Sequence, residues 1–331
     1  MSNTPSPHCR ARVIAAVSMS LLLVGGLAAC STEGSAAGGS ASSRGARGLT
    51  IQFVNPLPNF PAWRRIGDCM KNEAQKRGVD YTESGPTGQA LDANAMIGQI
   101  QQATANKKGA IVTFPASTAF AAVLKQAQAN HIITGTFYGS SGPDSGVDLN
   151  AGPNWTTMGE NMVKAVAALP GKHVFGLVAA ADTGVGKAWL DGMKAAAEKT
   201  DNVTIAGEVY TGDDAGKALP QVNALLSAHP DITEIASHMG TTTPGAVSAI
   251  KSKGLKGKTF LLAAGHDNGG TEALKDGEAN LMYLQDVCTP AKGMVGGVID
   301  VHKGKPAPTV PLPIKVVGKD DYQSYLDKGW N

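Results

Sequence analysis

The sequence predicts an α/β protein built from two doubly wound parallel-sheet lobes. From Leu49 onward, apolar runs of strand length alternate with segments of helical period, the signature of βαβ units and a parallel sheet. The rhythm runs through twice, in successive halves of similar size. At 331 residues the chain exceeds a single typical domain, so each half has room for its own core.

In the first half, residues 49–54 read as a buried strand. Residues 63–77 read as a helix with Ile66, Met70 and Ala74 on one face and Gly78 as the stop. A short strand at 79–82 precedes a helix at 93–105 with Met96, Ile97 and Ile100 inward. Residues 109–114 form a strand closed by Pro115, 118–130 a helix and 132–136 a strand. The second half repeats the pattern: helix 158–168, strand 173–178, helix 187–199, strand 203–209, helix 218–228, strand 234–237, helix 244–253 and strand 259–264. It closes with a short helix 271–276, strand 279–284, helix 290–302 and strand 314–317. Open parallel sheets bind ligands beyond the carboxyl ends of their strands. Two lobes facing each other there make a cleft able to close over a ligand.

The start of the chain belongs to neither lobe. Arg10 and Arg12 precede an apolar run over 13–29, a secretory signal too short and too poorly flanked to span a membrane stably. The run ends in Leu27-Ala28-Ala29-Cys30, which resembles the box of a bacterial lipoprotein signal. That resemblance implies cleavage of residues 1–29, lipid on the Cys30 thiol, and an extracytoplasmic body anchored to the cell membrane. Residues 30–48 follow as a Ser/Gly/Ala-rich flexible tether.

Composition narrows the function classes. Hydrophobic residues at 42% and charged residues at 17% support a packed core rather than disorder. The net charge is +2, and Arg10 and Arg12 are the only charged side chains in the signal, so the body is near neutral. Nucleic-acid binding needs a basic footprint that is missing here. Cys9 leaves with the signal and Cys30 carries lipid, which leaves Cys69 and Cys288 in an oxidising compartment. They form either a disulfide or two buried thiols packed as small apolar groups.

At this point the chain resembles a type I periplasmic solute-binding protein of the ribose- and galactose-binding branch, over nearly all of 49–330. The resemblance rests on Asn59-Phe60-Pro61-Ala62-Trp63 after the first strand, on Gly109 through Pro115, on Asn154 through Gly159 entering the second lobe, and on Gly265-His266-Asp267 after a strand. It implies two Rossmann-like lobes joined by three crossings that form a hinge, and delivery of a bound solute to an ABC permease. The expected division is 49–152 plus 286–308 for the N-terminal lobe and 153–285 plus 309–331 for the C-terminal lobe. The chain departs from the pattern where pentose and hexose binders commonly carry an Asp-Arg or Asp pair: here stand Phe137 and Tyr138.

Polyhydroxy ligands need flat apolar faces against their C–H surfaces and fixed polar groups for their hydroxyls. Phe60 and Trp63 supply such faces, with a core anchor as the alternative for Trp63. Phe137 and Tyr138 follow a predicted strand, which places at least one of them at the cleft mouth, with a hinge-covering aromatic as the alternative. Asp267 is the leading polar candidate, since a carboxylate accepts two hydroxyls in charge-assisted bonds; Asn268 beside it ranks lower. Asn59 either binds or forms a turn between prolines. Asp182, Thr183 and Lys187 lie on a Gly-rich turn and either reach the ligand or cap a helix. Gly184-Val185-Gly186-Lys187 is a fragment of a phosphate loop, but Ala181 and Ala188 stand where Gly and Ser/Thr belong, which argues against a nucleotide. His238 follows a strand and is either a contact or a satisfied structural group, while Asn154, Trp155, Tyr283 and Gln285 lie near the crossings, with Gln285 the best of them for a hydroxyl.

No nucleophile elbow, His-Glu-x-x-His motif or Cys/His metal spacing is present, so no enzyme activity, metal or cofactor is expected. The expected function is that of a monomeric, lipid-anchored substrate-binding component of an ABC importer, holding a small neutral sugar or polyol. The alternatives are a ligand-presenting accessory of a sensory receptor, or a binder of an autoinducer or other non-sugar solute.

Overall fold

The computed structural model describes residues 48–88, 91–139, 146–212 and 214–331, apart from the side chain of Asp267. The signal, most of the tether and Cys30 lie outside the described residues.

The first sheet collects β1 (Thr50–Val54), β2 (Asp80–Ser84), β3 (Ala110–Thr113), β4 (Ile133–Phe137), β5 (Leu149–Gly152) and β11 (Val310–Pro311) in the order β11-β5-β4-β3-β1-β2. Every pairing in it is parallel. Helices α1 (Pro61–Arg77) and α9 (Cys288–His302) cover one face, where Ile66, Met70, Met294 and Val298 pack on Ile51, Phe53 and Val112. Helices α2 (Ala93–Ala105) and α3 (Phe120–Ala129) cover the other, with Met96, Ile100 and Leu124 against Val54 and Ile111. Consecutive strand residues point to opposite faces, and both faces are buried, which is why these strands are continuously apolar.

The second sheet has the order β12-β10-β9-β8-β6-β7. Its strands are β6 (His173–Ala179), β7 (Val203–Tyr210), β8 (Glu234–Ser237), β9 (Phe260–Ala264), β10 (Ala279–Gln285) and β12 (Ile314–Val317), all parallel except the β10–β12 pair. Helices α4 (Trp155–Ala167) and α5 (Gly184–Ala197) lie on one face. Helices α6 (Ala215–Ala228), α7 (Thr242–Ser252) and α8 (Thr271–Lys275) lie on the other, and α10 (Tyr322–Leu326) adds Tyr322 to the same core. Helices α4 and α5 approach closely because both present glycine: a Cβ on Gly192 would lie 2.1 Å from the Thr156 carbonyl oxygen.

The chain passes between the sheets three times, after β5, after β10 and after β11. All three crossings leave from strand carboxyl ends. The expected lobe boundary after residue 308 falls short: Val310 and Pro311 pair with Ala151 and Gly152, so β11 lies on the first sheet. At two residues, this edge strand is too short to carry a periodic signal. The strand β5 and the helix α10 are likewise additions to the elements expected from sequence.

Candidate functional site

Both sheets reverse their winding at an internal point, between β1 and β3 in the first and between β6 and β8 in the second. The crevice outside the carboxyl ends at such a point is where doubly wound sheets take ligands. The loops there contain Asn59, Phe60 and Phe114 on one lobe and Ala180, Asp182 and His238 on the other. The carboxyl ends of the two sheets meet: the Tyr138 hydroxyl, just past β4, donates to Gln285 Oε1, at the end of β10, over 2.7 Å.

On the first lobe, the β1–α1 loop is held from below by Asn55, which is 0% exposed. Its Oδ1 accepts from the Leu57 N–H at 3.1 Å, and its Nδ2 donates to the Trp63 carbonyl at 3.1 Å and to Glu83 Oε1 at 2.9 Å. Glu83 also accepts from Arg64 Nη2 and from the Tyr81 hydroxyl, each at 2.8 Å. Burial first, then the Glu83 carboxylate, push the Tyr81 phenol well above its usual range. Sequence reasoning missed Glu83 as the hub of this loop. The Arg64–Asp68 pair, four apart on one helix, could have been read from its spacing. Pro61 at the first turn of α1 fixes the loop's exit.

That loop presents Phe60, partly buried, and Asn59, exposed beside Arg64 and Glu83 on the wall of a cavity of about 690 Å³. Trp63 packs its ring against Phe114 at 5.6 Å, Tyr138 at 5.5 Å and Phe137 at 6.4 Å between centroids. Phe137 is a correction: it is 0% exposed, the last inward side chain of β4, and packs edge-on against Phe53 inside the core. Tyr138 has a left-handed backbone, φ 56°, its half-buried ring packs on the same cluster, and burial raises its phenol pKa far above the usual value.

On the second lobe, His238 follows β8 and is 7% exposed. Its Nε2 accepts from the Ala180 N–H at 3.2 Å, tying the loop after β8 to the loop after β6. Its carbonyl accepts from the Tyr283 hydroxyl at 2.8 Å. The ring stands 5.5 Å from Trp155 and 5.3 Å from Trp189, and burial pushes its pKa down to about 4, so it is neutral at ordinary pH.

Other candidates divide. Asp182 is exposed on the same rim. Lys187 is not drawn into a site: its ammonium sits 2.7 Å from Asp191 one turn along α5. Asn154 caps α4 through the Thr157 N–H at 3.0 Å, whereas Thr183, at the cap position of α5, makes no side-chain cap bond. The backbone of Asp267 lies in the turn His266–Gly270 after β9, but its side chain lies outside the described residues. Asn268 packs on Gly240, where a Cβ would lie 2.1 Å from Asn268 Nδ2, and it lines a cavity of about 490 Å³ with Thr243, Lys251 and Glu272. Gln285, besides meeting Tyr138, pairs its backbone with Asn331 in both directions at 2.7 and 2.8 Å. Cys69 and Cys288 are joined by a disulfide with Cα atoms 5.4 Å apart, pinning α1 to the first residue of α9 within the first lobe. Among the described residues, no group of three or more His, Cys, Asp or Glu side chains is placed to hold a metal ion.

The family described as "Periplasmic binding protein domain" matches residues 51–301. No curated protein matches the sequence. Among solved structures, the chain is similar to GanP, a glucose-galactose binding protein from Geobacillus stearothermophilus, at 19% identity and TM-score 0.75, over 83% of this chain and 98% of that one. It is similar to an ABC transporter solute-binding protein from Burkholderia graminis C4D1M in complex with D-arabinose, at 21% identity and TM-score 0.72, over 85% and 98%. A periplasmic solute-binding protein from Actinobacillus succinogenes 130z with bound D-allose matches at 16% identity and TM-score 0.71, over 84% and 100%.

Proposed function

The chain belongs to the periplasmic binding protein domain family, and from that premise we propose that it is the extracytoplasmic substrate-binding lipoprotein of an ABC importer, anchored through Cys30. It works as a monomer and holds a small neutral sugar or polyol between its lobes. The two lobes close on the solute, and the closed form differs in surface from the open one, which is what a permease can distinguish. The solute leaves unchanged.

The observation that carries this reading is the aromatic grouping at the meeting strand ends. Trp63 packs on Phe114 and Tyr138 on one lobe, and Trp155 packs on the neutral His238 on the other. Such a grouping suits the C–H faces of an uncharged solute. The nearby cation Lys187 is already paired with Asp191, and Arg64 with Glu83 and Asp68. The solved relatives bound to D-arabinose and D-allose agree with the same ligand class.

A thermal-shift screen tests it. A solute that binds only the native state raises the melting temperature in proportion to the logarithm of its excess over Kd. D-arabinose, D-allose, D-fucose and simple polyols are the first probes, with amino acids and organic acids as charged controls. Shifts with neutral probes support the reading. Shifts confined to charged solutes overturn the ligand class.

A further inference from the structure

We propose that the second lobe reads its solute with two neutral N–H donors, His238 Nδ1 and Trp155 Nε1, and therefore selects a solute that places an uncharged acceptor oxygen, a ring ether or a carbonyl, against them. This deepens the proposed function and rests on it.

A neutral imidazole has one donor and one acceptor nitrogen, and the partner of one fixes the other. The Ala180 N–H points at Nε2 from 3.2 Å, so Nε2 carries the lone pair and Nδ1 carries the proton. The backbone amide cannot accept in return, so the ring cannot exchange roles. Protonation is opposed by burial, which brings the pKa down to about 4. His238 is thus a donor of fixed direction, on the side of the ring away from Ala180.

Among the described residues, Nδ1 has no protein partner, and it is not one of the fully buried atoms, so this side of an otherwise buried ring stays open to a solvent or solute oxygen. Trp155 stands edge-on to this ring at 5.5 Å, and its Nε1 is buried and likewise without an acceptor among the described residues. Buried polar groups are nearly always hydrogen-bonded, and a native exception calls for an explanation. The neighbouring Trp189 shows the contrast, for its Nε1 donates to Met162 Sδ at 3.3 Å. Two unmatched donors on adjacent rings, at a switch point and beside a chain crossing, are matched by a solute oxygen. An anion would also accept from them, but burying its charge costs far more than burying a neutral oxygen unless a cation pairs with it, and Lys187 on the adjoining helix already faces Asp191.

Ring-nitrogen NMR of the purified protein decides the first half. A protonated Nδ1 and bare Nε2 at neutral pH support the assignment, and the reverse tautomer overturns it, whichever solute binds. Titration with D-arabinose, D-allose and D-fucose decides the second half. For the probe that raises the melting temperature of the wild type, His238→Phe weakens binding about tenfold, while His238→Asn, which keeps an amide donor near the Nδ1 position, recovers most of the loss. Trp155→Phe keeps the ring and loses several-fold. Melting of each free variant separates a folding defect from a binding one. Wild-type affinity in both His238→Phe and Trp155→Phe overturns the inference while leaving the cleft reading intact. No response to any neutral probe counts against the cleft reading, and the nitrogen spectrum then judges this inference alone.

Discussion

Reducing the Cys69–Cys288 disulfide is the perturbation whose size follows most simply from the structure. The two residues are 219 positions apart, and most of the second lobe, all but β12 and α10, lies between them in sequence. Closing a loop of that length removes about 18 cal/mol/K from the unfolded chain, or about 5 kcal/mol at 25 °C. Unfolding of a chain of this size carries an entropy of about 0.6 kcal/mol/K, so the loss lowers Tm by about 8 °C. The figure is an upper one if the second lobe stays folded while the first melts, because the loop that must close is then shorter. Calorimetry of oxidised protein, reduced protein and the Cys69→Ser/Cys288→Ser double variant gives the difference. Non-reducing digestion and mass spectrometry identify the linked peptides. Identical melting with and without reductant, or a digest in which both thiols are free, refutes the reasoning.

Three further outcomes are expected. Phe137→Ala removes a fully buried ring between Phe53 and Trp63 and costs about 3–5 kcal/mol in denaturant unfolding; a native-like stability would return Phe137 to the list of surface candidates. Tyr138→Phe deletes a donor that reaches Gln285 across the lobes, costing about 0.5–1.5 kcal/mol in solute affinity by titration calorimetry, and an unchanged affinity would remove this bond from the closure. Glu278, 3% exposed, is drawn upward in pKa by burial but held below the carboxylate norm by Lys251 at 2.9 Å and Lys256 at 3.1 Å. A depressed carboxylate stabilises the fold above its unfolded pKa, and that contribution disappears as pH falls through the folded one. Stability of wild type relative to Glu278→Gln therefore declines on acidification below about pH 4.5, and parallel curves would contradict it.

The alternation of strand and helix was legible because each strand is buried on both faces and each helix carries one apolar stripe. Helix α2 and strands β8 and β12 fall where periodicity puts them. Strand β5, Leu-Asn-Ala-Gly, was not legible: it is four residues long, alternates in burial and ends in glycine. The candidate site was legible as a set of loops but not as a set of roles. Phe137 and Tyr138 are adjacent and aromatic, yet one enters the core and the other takes a positive φ that a tyrosine sequence does not advertise. The Lys187–Asp191 pair could have been read from its four-residue spacing. Glu83 could not, since its three donors come from a buried loop, a helix and its own strand.

The most direct measurement is a crystal structure of the protein grown with the neutral probe that most raises its melting temperature. The account predicts the intact solute between the strand ends, flanked by Trp63 and Trp155, with an oxygen against His238 Nδ1. Density for the solute on an outer face of either lobe, or for a chemically altered product, would contradict it.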